Sequence, residues 1–80
     1  MTALARNKIN SLVRILKNKS SVEFKHDELY YQVFESSEGG YAINVYSSDA
    51  RDEDGELIYS NMIDGGLCSG SARDAVTFML

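Results

Sequence analysis

The chain has one cysteine, one histidine, no proline and no long apolar run, and each scarcity closes off a class of protein. Cys68 alone cannot form an intrachain disulfide, which excludes a stapled secreted scaffold and makes a reducing cytoplasm the compartment that fits. With His26 as the only imidazole, an ordinary zinc site of His and Cys ligands cannot be assembled. Apolar runs reach only a few residues, against the ~20 a membrane span needs, and the first residues lack the continuous apolar core of a signal peptide. No repeat, low-complexity tract or proline-rich linker divides the sequence, so one compact domain over residues 1–80 is expected, soluble and cytoplasmic.

Acid is missing from residues 1–19, which hold Arg6, Lys8, Arg14, Lys17 and Lys19. The rest of the chain carries three bases and all twelve acids, so the two parts have charges of +5 and −9 and the whole has −4. A basic first segment can touch phosphates, whereas an acidic remainder is repelled by them or imitates them. Apolar residues at 44% and charged residues at 25% are ordinary for a globular protein and argue against disorder.

Helical spacing runs from Thr2, a candidate N-cap, to Asn18. Ala5, Ile9, Leu12, Val13 and Leu16 form one face, widened by Leu4 and Ile15, with Arg6, Asn10, Arg14 and Lys17 opposite. No aromatic residue interleaves these bases to stack on a nucleotide, so direct nucleic-acid binding is not the expected role. After Ser20-Ser21 the period becomes alternating. Val22, Phe24 and His26 share one side of a first strand, and His26-Asp27-Glu28 makes a turn. In the next strand, Leu29 to Phe34, both faces are apolar: Leu29, Tyr31 and Val33 point one way, Tyr30, Gln32 and Phe34 the other. Gly39-Gly40 lead into Tyr41 to Tyr46, the clearest half-buried strand of the sequence.

The loop that follows holds Asp49, Asp52, Glu53, Asp54 and Glu56, opposed only by Arg51. A calcium loop with Gly55 as its turn glycine would need carboxylates at Ala50 and Asn61, where there are none. The loop is therefore expected to be a hairpin, with Asp54-Gly55 at its turn and Leu57-Ile58-Tyr59 as the returning strand. Gly65 to Ser71 has the glycine spacing of a phosphate loop but lacks its lysine. Gly66-Leu67-Cys68-Ser69-Gly70 has the spacing of a nucleophile elbow with cysteine at its centre, and only His26 is available as its base. Ser71 and Asp74 form a capping-box start for a final helix whose apolar face is Ala75, Val76, Phe78 and Met79.

These segments predict an α+β fold: an N-terminal helix, an antiparallel meander of three or four strands and a short C-terminal helix, with both helices on one sheet face. No cofactor, metal or catalytic constellation is expected, and a protein partner is. Two contact surfaces stand out: the acidic loop of Asp49, Asp52, Glu53, Asp54 and Glu56, and a sheet face of Tyr30, Gln32, Phe34 and Tyr46. In size, acidity, lack of catalytic residues and tyrosine-rich sheet the chain resembles the small anti-CRISPR and antirestriction proteins of phages and plasmids, a likeness of type carried by no shared motif. That resemblance implies a non-catalytic inhibitor of a nucleic-acid-handling complex, its carboxylates imitating phosphates. The alternative is a structural or regulatory homodimer formed through an exposed sheet face or edge.

Overall fold

Alternating side chains between turn formers produce a four-stranded sheet in the computed structural model, which describes residues 5–80. The elements are α1 (Arg6–Lys19), β1 (Ser21–His26), β2 (Leu29–Glu35), β3 (Tyr41–Tyr46), a 3-10 turn (Tyr59–Asn61), β4 (Met62–Cys68) and α2 (Ala72–Thr77). The strands pair antiparallel in the order β1-β2-β3-β4, an open meander with two edges. The expected α+β architecture is the observed one. Thr2 and Leu4, read as N-cap and stripe residues, lie outside the described residues, and the helix begins after Ala5 without a side-chain cap.

The period of two sets which side chains enter the core. Val22 pairs with Val33 and Phe24 with Tyr31 across β1 and β2, while Val33 pairs with Ile43 and Tyr31 with Val45 across β2 and β3. All of these face the helices and join Leu12 and Leu16 of α1 and Ala72, Ala75 and Val76 of α2 in one buried cluster. Leu16, Ile43, Val33 and Val76 are almost completely removed from solvent, each such side chain contributing roughly 1.5–3 kcal/mol of transfer free energy. Both helices therefore lie on one face, as the apolar stripes predict. Phe24 and Tyr31 stack within this layer, with centroids 5.1 Å apart and rings 6° from parallel.

Local signals fix the ends of the elements. At the end of α1, Ser20 takes a left-handed conformation, φ 65°, and its N–H donates to the Leu16 carbonyl at 2.8 Å. Asp27 and Glu28 both have positive φ, the requirement of a two-residue hairpin turn that follows the strand twist. Ser71 Oγ accepts from the Asp74 N–H while the Asp74 carboxylate accepts from the Ser71 N–H, completing the expected capping box. Gly40, φ 71°, passes so close to β4 that a Cβ there would lie 2.5 Å from the Cys68 carbonyl oxygen.

The fourth strand is not made of the residues expected to form it. Arg51 and Leu57 share only an isolated bridge, Tyr59 belongs to the 3-10 turn, and the strand that returns beside β3 is Met62–Cys68. Gly65 and Gly66, read as loop glycines, lie inside it opposite Asn44 and Ile43. The period-two pattern is hidden there because two adjacent positions have no side chain and a bulge between Tyr46 and Val45 breaks the alternation near Ile63. Gly66 has a packing reason: a Cβ at this position would sit 3.0 Å from Phe78 and 3.1 Å from Met79, which follow α2.

Candidate functional site

The side of the sheet away from the helices carries a hydrogen-bonded row across its middle. Gly65, Asn44, Gln32 and Glu23 are neighbours on β4, β3, β2 and β1. Asn44 Nδ2 donates to Gln32 Oε1 at 3.2 Å, Tyr46 Oη donates to the same oxygen at 3.2 Å, and Gln32 Nε2 reaches Glu23 Oε2 at 3.5 Å. Glu23 Oε1 in turn accepts from Arg51 Nη2, 28 positions further along the chain. The acidic loop is thus tied back across the sheet to β1. Arg51 Nη1 also donates to the Gly55 carbonyl at 2.9 Å, so one guanidinium holds both the turn of the loop and its anchor.

Folding of the loop over this face changes what is exposed. Tyr46 and Leu57 are buried, yet neither belongs to the cluster under the helices. Tyr46, expected on an accessible sheet face, is only 4% exposed. Tyr30, Gln32 and Phe34 are half-buried. A shallow concavity of about 250 Å³ remains between loop and sheet, lined by Glu23, Lys25, Tyr30, Arg51 and Leu57 among others. Lys25 Nζ lies 5.6 Å from the centroid of the Tyr30 ring at its margin.

The carboxylates expected to make a contact surface are all exposed: Asp49, Asp52, Glu53, Asp54 and Glu56. Asp52 has a structural task as well, since its Oδ1 accepts from the Asp54 N–H at 2.9 Å and the Glu56 N–H at 3.0 Å. Arg51, the one cation of the loop, is engaged by Glu23, whose hydrogen bond and charge, with smaller contributions from Glu56 and Asp49, raise the guanidinium pKa further against slight burial. The five loop acids therefore face solvent, and none of them is in an ion pair among the described residues. Among the described residues no group of three or more His, Cys, Asp or Glu side chains is arranged to hold a metal ion.

The cysteine-centred motif does not assemble a dyad. Cys68 ends β4 beside Tyr41, whereas His26 ends β1 beside Leu29, at the diagonally opposite corner of the sheet. Three inter-strand steps of ~4.8 Å alone put them on the order of 14 Å apart. Cys68 is buried in the core, and His26 is 3.4 Å from the neighbouring Asp27. Tyr31 is the buried group with a displaced pKa: burial raises it, and the charge of Asp27 adds to the effect.

The opposite, helical layer is basic. Arg6, Lys8, Arg14, Lys17 and Lys19 are exposed along α1 and make no ion pair among the described residues. Arg73 of α2 joins them through a hydrogen bond from Nη2 to Asn10 Oδ1, a contact across 63 positions that sequence spacing does not reveal. The molecule is therefore polar in charge, with cations over the helices and the acidic loop across the sheet. Among the described residues no helix is long and apolar enough to cross a membrane. The chain matches no family model, no curated protein and no solved structure.

Proposed function

We propose that this protein is a non-catalytic binding module that uses its acidic loop to occupy a basic, nucleic-acid-binding surface of a partner protein, in the manner of the small anti-defence inhibitors it resembles in type. One observation carries the reading. The loop is pinned to the sheet by Arg51 on Glu23 and by buried Leu57, while Asp49, Asp52, Glu53, Asp54 and Glu56 all remain in water. A loop held in one shape loses less conformational entropy on docking, and carboxylates fixed on a short turn offer a basic groove closely spaced negative charge. The loop's own arginine is paired with Glu23, and among the described residues none of the five loop carboxylates is held in an ion pair of its own. The separation of Cys68 from His26 agrees with a role in binding rather than thiol catalysis.

The test is capture of nucleic-acid-binding proteins from a nuclease-treated bacterial lysate, followed, once the nuclease is washed away, by competition with added duplex DNA. Binding should fall as salt rises and be displaced by DNA, because both ligands would use the same cations. The triple variant Asp52→Lys, Glu53→Lys, Asp54→Lys should lose the captured protein. Capture that survives both DNA and charge reversal would exclude phosphate imitation by this loop.

A further inference from the structure

The two edges of the sheet are treated differently. β1 is guarded: it carries Glu23 and Lys25, its turn adds Asp27 and Glu28, and Arg51 of the loop closes against it. β4 has none of these. From Leu57 to Ala72 the chain holds a single charged residue, Asp64, although a quarter of the whole chain is charged. Of the six large apolar side chains that are exposed among the described residues, five lie on β4 or in the segments next to it: Tyr59, Ile63, Leu67, Phe78 and Leu80. Leu67 is the extreme case inside a strand, 75% exposed. An edge that pairs with no other strand among the described residues, flanked by apolar surface and almost free of charge, is what sheets ordinarily avoid unless something pairs with it.

We propose that β4 is a homodimer interface, in which the β4 edges of two copies pair antiparallel about a two-fold axis at Gly65 to give one continuous eight-stranded sheet. The occupant follows from charge and register. A two-fold axis perpendicular to the sheet keeps both helical layers on the same side and pairs residues of equal facing, so the register moves in steps of two residues. Centred on Gly65, the pairing sets Asp64 opposite Gly66 of the second copy, so each carboxylate faces a residue without a side chain, and it brings the exposed Leu67 up to the bulge at Ile63, so apolar side chains gather along the seam. Centring on Asp64 instead would place two carboxylates directly opposite each other, which is destabilising. The acidic loops do not oppose this arrangement, because Arg51 draws each one toward β1, three strands from the seam. The Gly65 N–H, bonded to its own Asp64 Oδ1 at 2.8 Å, is outside the β3 ladder. Asp64 thus competes for a donor that the second copy would use, which keeps the association reversible and concentration-dependent.

Sedimentation equilibrium of the full chain from micromolar to millimolar concentration tests this directly. The expected result is a monomer–dimer equilibrium weakened at least tenfold by Leu67→Lys, an exposed site where the monomer fold is preserved, and strengthened severalfold by Asp64→Ala. Amide exchange at Gly65 should slow in the dimer. The acidic-loop triple variant should dimerise as the native chain does, so failure here and failure of the loop reading are separate results. A strictly monomeric chain at millimolar concentration, or a dimer indifferent to Leu67→Lys, overturns the proposal. So does a monomer whose β4 pairs only with an added extended apolar peptide.

Discussion

Arg51 donates a hydrogen bond to Glu23 across 28 residues of chain, and through it the most acidic segment of the protein is fastened to the first strand of the sheet. Both side chains are substantially exposed, with 42% and 38% of their surfaces accessible, so the pair acts mainly as a positional constraint and contributes little to global stability.

Removing it should free the loop without unfolding the domain. In Arg51→Ala or Glu23→Gln, amide exchange should accelerate over residues 49–57 and leave β2 and β3 unchanged, with little change in Tm. High salt should produce part of the same effect in the native chain. Equal acceleration throughout the sheet would show that the pair supports the whole fold.

The turn between β1 and β2 is occupied by two residues that do not favour its conformation. Asp27 and Glu28 have φ of 50° and 68°, and a glycine at the second position relieves the Cβ crowding that non-glycine residues meet there. Glu28→Gly should raise stability by about 1 kcal/mol in urea denaturation, because the lost contact to Lys25, at 3.9 Å and largely exposed, contributes little.

Gly40 should tolerate no side chain. It combines positive φ with a backbone oxygen 2.5 Å from the place of a Cβ. Gly40→Ala should cost about 2 kcal/mol or more, since both the turn and the neighbouring Cys68 end of β4 must shift. Gly39→Ala is the informative control: its φ is positive too, but nothing lies within 4 Å of its Cβ position, so its cost should be smaller.

Tyr31 predicts an alkaline loss of stability. Its folded-state pKa is raised by burial and by Asp27, so the folded protein holds the phenolic proton more tightly than the unfolded chain. Stability from this group is complete below the unfolded value of about 10 and declines as pH rises from there through the raised folded value. Tyr31→Phe should flatten that decline in denaturation measured across the alkaline range, while keeping the stack on Phe24.

Much of this architecture is legible along the chain because its causes are local. Helical spacing in α1, alternation in β1 to β3, and the Ser71/Asp74 capping box each depend on residues within a few positions of one another; the strands and the capping box appear where the pattern puts them, while α1 starts after Ala5 and not at Thr2. β4 escapes for the same reason. Gly65 and Gly66 carry no pattern, and their place in a strand is decided by pairing with Asn44 and Ile43 and by the need to admit Phe78 and Met79 over the sheet. Leu57 to Tyr59 look like a strand locally, but their pairing stops at the single bridge between Arg51 and Leu57, and Tyr59 already belongs to the 3-10 turn.

The sequence by itself determined most of the core, the layer order and the separation of basic and acidic segments, since burial of an apolar face requires only that its residues recur at the right period; Ile15 and Phe78, which fit the apolar stripes, are nevertheless exposed. Only the tertiary structure decided where the acidic loop lies, that Tyr46 is covered, that Cys68 and His26 stand at opposite corners, and that β4 is the unguarded edge. Each of these depends on contacts between residues distant in sequence, made when the meander stacks its strands and the loop folds over them, and no local periodicity encodes such contacts.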